Sequence, residues 1–193
     1  MNDLKYTNEW LDLSKSGNFK EAQELYYSKL LPEITELFSS KYSDVLKEDE
    51  LLISVLGYSP EPIILTAKAM LPEKHIIVSS GENSFVEETL ERFLDANYNI
   101  IRLKDESFLM MYKSLKEQLI LQNYSRIVVD ITGGKKSMVA SAAIFAKDYG
   151  CKIVYVDFSE YLQDLRKPKP GTEILNLVYD PRRDQPELKI RQS

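Results

Sequence analysis

The chain has 193 residues, with 25 Lys and Arg against 30 Asp and Glu, 44% hydrophobic residues, seven glycines and eight prolines. This mixture excludes disordered, collagenous and low-complexity architectures. A chain of this length buries about 70% of the surface its unfolded state exposes, so it can hold a core without metal or disulfide staples.

The expected organisation is one domain with an appendage. The single cysteine, Cys151, cannot form an internal disulfide, and the opening residues 1–10 have no charged-then-apolar leader. A cytoplasmic location is the resulting expectation. Apolar runs such as 51–56 and 62–67 are far shorter than the roughly 20 residues of a membrane-spanning helix, so no membrane association is expected. Charge is uneven: residues 1–50 hold 11 acids and 6 bases, which accounts for the whole net charge of −5. An acidic segment repels a phosphate backbone and argues against duplex nucleic acid as a partner. A small anion in a local pocket remains compatible with it.

In chain order, residues 1–48 read as a helical pair. Leu4, Trp10, Leu11 and Leu13 form one apolar stripe, Ser16-Gly17-Asn18 breaks it, and Phe19, Ala22, Leu25, Tyr26, Leu30 and Leu31 restart a helical period. Pro32 marks a kink or a new helix start. The run from Trp10 to Tyr26 resembles a tetratricopeptide hairpin, but a single repeat cannot bury its own face. The pair is therefore expected to lean on the main domain.

From Leu51 the pattern changes. Strands are expected at 51–56, 75–79, 99–103, 126–131 and 151–157, each nearly continuous in Ile, Val and Leu, as strands buried on both faces are. Helices are expected near 61–71, 84–96, 106–122 and 136–148. This alternation predicts a Rossmann-like α/β fold, a doubly wound, mainly parallel sheet of about six strands spanning residues 49–181. Its sixth strand, at 173–179, follows a Pro-rich connection and is expected to pair antiparallel at an edge. The basic stretch 182–193 reads as a tail or linker.

Ligands of such sheets bind beyond the carboxyl ends of the strands. That rule selects the loops at 57–60, 79–84, 104–105 and 132–137. The last carries the strongest signal, because after the apolar strand come Gly133 and Gly134, then Lys135, Lys136 and Ser137, then a helix rich in small residues. Glycines permit positive φ angles and close approach to bare backbone. Lysines at a helix start oppose the helix dipole unless an anion lies there. A nucleotide-triphosphate P-loop needs glycine five residues before its Gly-Lys pair, and the residue five before Gly134 is Val129, inside the strand. The dinucleotide fingerprint is missing after every strand, so no nucleotide cofactor is expected.

The stretch from Asp130 to Met138, Asp-Ile-Thr-Gly-Gly-Lys-Lys-Ser-Met, resembles the signature of the CRISPR-associated Rossmann-fold (CARF) family, Asn/Asp-x-Thr-Gly-Gly-Thr-Lys-x-Met. Lys135 stands where threonine is more usual. The first loop, Leu56 to Pro62, is similar to that family's first ligand-contacting turn, and the resemblance covers about residues 50–180. It implies a homodimeric sensor of cyclic oligoadenylate, cyclic tetra- or hexa-adenylate, in type III CRISPR antiviral signalling, regulating a fused or separate effector. It also implies that Gly133, Gly134, Lys135, Lys136 and Ser137 face phosphate and ribose, while Gly57, Tyr58 and Ser59 approach the adenylate. A two-fold dimer suits a ring-shaped polyanion, since one patch is used twice.

Several residues carry two readings. Thr132 is a ligand contact or the cap of the following helix. Ser80 and Gly81 border the ligand or belong to a capped helix start, with Asn83 or Ser84 as cap and Glu87 closing a capping box. Tyr58 would stack on adenine. His75 is expected to be incidental and Cys151 a small core residue. The only histidine precedes the first arginine, Arg92, which is the wrong order for a HEPN ribonuclease, and a zinc deaminase needs more His and Cys ligands. A metal-independent ring nuclease is the alternative to binding alone. Lys136 with Ser59 or Ser137 would then be catalytic, supplying charge and positioning while the ring's own 2′-hydroxyl attacks.

Overall fold

A computed structural model describes residues 4–121 and 124–185. At its centre lies a six-stranded sheet in the order β3-β2-β1-β4-β5-β8. The strands are β1 (Leu51–Val55), β2 (Lys74–Ser79), β3 (Tyr98–Arg102), β4 (Ile127–Asp130), β5 (Lys152–Phe158) and β8 (Glu173–Tyr179). The first five are parallel, and β8 pairs antiparallel with β5 at the edge. A small ribbon of β6 (Tyr161–Leu162) and β7 (Lys167–Pro168) lies in the connection to β8. The expected strands and the antiparallel edge are thus observed, with ends moved by a residue or two.

β1 is buried along its whole length, which is why its sequence does not alternate. Its side chains nevertheless divide by parity. Leu51, Ile53 and Val55 pack with Met111 and Leu115 of α6 (Phe108–Ile120) and with Met138, Ala142 and Phe145 of α7 (Lys136–Asp148). Leu52 faces the opposite layer, with Leu65 of α4 (Glu61–Met70) and residues from the N-terminal segment. α5 (Ser84–Phe93) joins that layer through Val86 and Leu90, packed with Ile63, Ile64 and Ile77. Helices on both faces make the sheet doubly wound.

The expected helical pair is longer than a pair. α1 (Thr7–Lys15) and α2 (Phe19–Leu25) are followed without a break by a wide π turn, Tyr26–Leu30, and by α3 (Leu31–Leu46). Pro32, the second residue of α3, lacks the N–H that would continue the helical ladder, and the wide turn lies immediately before it. Trp10, Leu30, Ile34 and Phe38 share one apolar cluster with Leu52, Val128 and Val154 of the sheet, so this segment is a sheet-covering layer. Residues 182–184 of the expected tail close a short helical turn, α8 (Pro181–Asp184), and Arg182 pairs with Glu48 at 3.1 Å. Residues 186–193 lie outside the described part of the chain.

Candidate functional site

Because β1 and β4 are adjacent although five elements separate them in sequence, the chain changes direction between them. That topological switch point opens a crevice beyond their carboxyl ends. Two loops line it: Gly57-Tyr58-Ser59 after β1 and Thr132 to Lys135 after β4. They touch through glycines. A Cβ on Gly133 would stand 2.5 Å from the carbonyl oxygen of Val55, and one on Gly57 would stand 2.8 Å from the backbone nitrogen of Gly134. Gly134 has φ of +89°, and its Cβ would meet Val55 Cγ1 at 2.4 Å. The diglycine is thus demanded by loop packing against loop, a reason that the sequence alone does not disclose.

Asp130, the last residue of β4, organises the turn from below. Its buried Oδ1 accepts hydrogen bonds from the backbone N–H of Thr132, at 2.9 Å, and from the Thr132 hydroxyl. The Thr132 hydroxyl in turn accepts from the N–H of Val156 on β5, at 2.8 Å. Thr132 therefore stitches β4 to β5 and does not cap α7; the cap position belongs to Lys135, in extended conformation. Burial pushes the Asp130 carboxyl up to about 6, against the pull of its hydrogen bonds from Thr132. Its Oδ2 is buried without a hydrogen bond among the described residues.

The two lysines differ. Lys135 Nζ pairs with the carboxylate of Glu106, in the loop between β3 and α6, so the anion that its position calls for is supplied by the chain itself. The Ser80 hydroxyl also reaches that carboxylate, and together with Lys135 holds it below the usual carboxylate range, with Lys135 the larger cause. Ser137 Oγ donates to the Glu106 carbonyl at 2.8 Å, tying the start of α7 to the same loop. Lys136 is exposed and has no carboxylate partner among the described residues. Tyr58, 90% exposed, and Ser59, also exposed, stand open on the other loop. Gly81 belongs to a tight turn in which its N–H donates to Ser79 Oγ and its carbonyl accepts from the same hydroxyl.

Glu106 went unrecognised in the sequence because its partner is 29 residues away and no local pattern marks it. Its only signal was its place beside the loop at 104–105, one residue before Ser107, which caps α6. Asn83 caps α5 as expected, but Glu87 pairs with Arg102 at 2.7 Å and closes no capping box. His75 is fully enclosed, with Nε2 3.0 Å from Ser54 Oγ, and burial lowers it to about 3. Cys151 is a buried core thiol, pushed up to about 12 by burial. Among the described residues no cluster of His, Cys, Asp and Glu could hold a metal ion, and no helix is long and apolar enough to cross a membrane.

A mainly parallel sheet with a glycine turn and an exposed lysine at its switch point defines a Rossmann-like domain with a crevice beyond the ends of β1 and β4. No family model matches the chain. It is similar to the CRISPR system endoribonuclease Csm6 of Thermus thermophilus, 25% identical over 166 residues, covering 82% of this chain and 36% of that protein. This relative bears out the resemblance to the CARF family, and the chain spans about a third of its length. Among solved structures, Can2 from Sulfobacillus thermosulfidooxidans in complex with cyclic tetra-adenylate is 17% identical, over 56% of this chain and 32% of that one, with a TM-score of 0.47. Enterococcus italicus Csm6 bound to cyclic hexa-2'-fluoro-hexa-dAMP is 12% identical, over 67% of this chain and 43% of that one, with a TM-score of 0.45.

Proposed function

We propose that this chain is a cytoplasmic sensor domain that binds cyclic oligoadenylate as a homodimer in type III CRISPR signalling and passes the signal to an effector, fused or separate. The observation that carries this reading is the meeting of the Gly57 and Gly133-Gly134 turns at the switch point, with Lys136 beside them exposed and without a carboxylate partner among the described residues. The similarity to Csm6 supports it. Bare amides at the start of α7 and the Lys136 ammonium suit a phosphodiester. Tyr58 offers an open ring for an adenine to stack on. Two copies related by a two-fold axis would present four such loops to one ring. Of the remaining expected contacts, Ser59 keeps a free position, whereas Ser80, Thr132, Lys135 and Ser137 are already engaged within the chain. Lys135, with its side chain 59% exposed, nevertheless keeps N–H donors for a phosphate, and the exposed Ser137 hydroxyl keeps its acceptor capacity.

Calorimetric titration with cyclic tetra- and hexa-adenylate, combined with native mass spectrometry, tests the reading. The expected result is saturable binding of one ring per two chains, and absence of binding to both rings overturns it. Chromatography of the incubated ring addresses cleavage by Lys136 and Ser59. An intact ring is expected, because Ser137 Oγ is committed to Glu106, which leaves Lys136 and Ser59 alone to position the 2′-hydroxyl. Appearance of linear products ending in 2′,3′-cyclic phosphate would establish the ring nuclease instead.

A further inference from the structure

Bordered by Ser59 and Thr132 is a cavity of about 740 Å³, lined from the N-terminal helices, the first turns of α4, and β5. Its size falls within the roughly 300–1,000 Å³ of small-molecule sites. Aromatic side chains dominate the wall: Trp10, Tyr26 and Tyr27 from the helical layer, Tyr155 and Phe158 from β5. Three carboxylates also line it, Glu61 at the start of α4, Asp157 of β5 and Glu173 at the start of β8, against one ammonium, that of Lys167.

Of the three, Asp157 accepts from the backbone N–H of Phe158 and Glu173 from those of Gly171 and itself, whereas Glu61 is under-compensated. Glu61 Oε1 accepts from the Tyr27 hydroxyl at 2.6 Å, while its Oε2 is buried with no hydrogen-bonding partner among the described residues. Burial raises the Glu173 carboxyl above its usual range, and the Glu61 charge adds to the rise despite Lys41. Burial likewise raises the Tyr26 hydroxyl, helped by the same two carboxylates. A cation already packs on this wall, since Lys167 Nζ lies over the Trp10 ring, 5.9 Å from its centroid.

We propose that this cavity binds a small aliphatic amine cation, held by the aromatic wall and donating N–H to the Glu61 carboxylate. Aromatic faces attract ammonium groups electrostatically, more strongly when desolvated. A carboxylate oxygen left without a donor is costly, and an ammonium supplies both the missing hydrogen and the opposite charge. An anionic group, by contrast, would meet three carboxylates. Ser59 and Thr132 border both this cavity and the anion-facing loops, so occupancy of one site would be felt at the other.

The chain's only tryptophan, Trp10, lines the cavity, and its emission reports occupancy directly. Putrescine, spermidine and tetramethylammonium are titrated into the full chain at constant ionic strength, with unfolding temperature recorded in parallel. Putrescine or spermidine should give a saturable emission change and a raised unfolding temperature, with tetramethylammonium, which has no N–H, at least tenfold weaker. Glu61→Gln and Asp157→Asn should each weaken amine binding about tenfold or more, whereas Glu91→Gln, on the exposed side of α5, should leave it unchanged. The proposal is overturned if no amine saturates, if tetramethylammonium binds as well as the amines, or if Glu91→Gln weakens binding as much as the two cavity variants. Asp157→Asn serves where Glu61→Gln fails to fold.

Discussion

The turn after β4 and the cavity under α1 share Thr132 as a boundary, yet they offer opposite chemistry. The turn presents backbone, Lys135 and Lys136 to solvent; the cavity presents aromatic rings and three carboxylates. A chain with net charge −5 thus places two exposed lysines within a few residues of a carboxylate-lined cleft. Global charge predicts neither, because interactions at such sites are governed by groups within about one Debye length, roughly 8–10 Å.

The turn's side of this contrast depends first on its glycines, and their replacement should have the largest effect. Gly133→Ala puts a methyl group 2.5 Å from the Val55 carbonyl, where only backbone movement can relieve it. A loss of about 3 kcal/mol in stability is expected, from overpacking and strain together. For a chain of this size each kcal/mol lowers the unfolding temperature by about 2–4 °C, so thermal melts should show a drop of roughly 10 °C. Cyclic oligoadenylate binding should be lost with it, while the cavity's amine binding should persist below the lowered transition.

Lys136→Ala separates binding from folding. Because Lys136 is exposed and has no carboxylate partner among the described residues, its removal should leave the melting curve unchanged. Ring affinity should fall by one or two powers of ten in titration calorimetry, as expected for charge-assisted hydrogen bonds of about 1.5–3 kcal/mol. Amine binding in the cavity should not change. A variant that weakens both would merge the two sites into one.

Much of this arrangement is legible in the sequence. Continuous Ile, Val and Leu runs separated by amphipathic segments imply β1 to β5 and the helices between them, because strands buried on both faces have no polar alternation to blur the signal. The Pro-rich connection before residue 173 marks the edge strand correctly, since a break of that kind interrupts the strand-helix rhythm. The glycine turn is legible as a turn. Its partner is not: that Gly57 and Gly133 exclude each other's side chains follows from strand order, which no local pattern carries. For the same reason the second bond of Thr132, to Val156 N, and the ion pair of Lys135 with Glu106 became visible only in three dimensions. The cavity needs the N-terminal helices to be docked, and their apolar stripes specify burial without specifying against what.

Two buried titratable groups sharpen the contrast from beneath. Asp130 supports the turn and is raised from 3.8 to about 6, whereas His75, on β2, is lowered from 6.5 to about 3. Between about pH 4 and 6 the native chain holds a proton on Asp130 that the unfolded chain lacks, so acidification stabilises through this group. Over the same interval the unfolded chain holds a proton on His75 that the native chain lacks, so acidification destabilises through that one. Each slope is about 1.4 kcal/mol per pH unit and they have opposite sign. The pair should nearly cancel in the wild-type chain. Asp130→Asn, which keeps the acceptor for Thr132, should expose the histidine slope, with stability falling as pH drops from 6 to 4. His75→Gln should show the reverse, a relative gain over that interval. Chemical denaturation at several pH values, compared as differences from wild type, measures both.

The smallest expected effect concerns the one place where the turn borrows acid. Glu106 already sits on Lys135, so a ligand phosphate must share that ammonium with its carboxylate, displace it, or bind through Lys136 and the amides. Glu106→Gln keeps the size and leaves an acceptor for the Ser80 hydroxyl but removes the competing charge. Exposed ion pairs of this kind are weak, and Lys135 and Glu106 both retain solvent contact, with side chains 59% and 32% exposed. Ring affinity should therefore rise by only roughly twofold to fivefold, with a steeper dependence on salt because one more cation is free to meet phosphate. A fall in affinity would mean that the carboxylate holds Lys135 in its binding position. Glu106 would then belong with the ligand's partners, and the turn would carry an acid of its own much as the cavity carries Lys167.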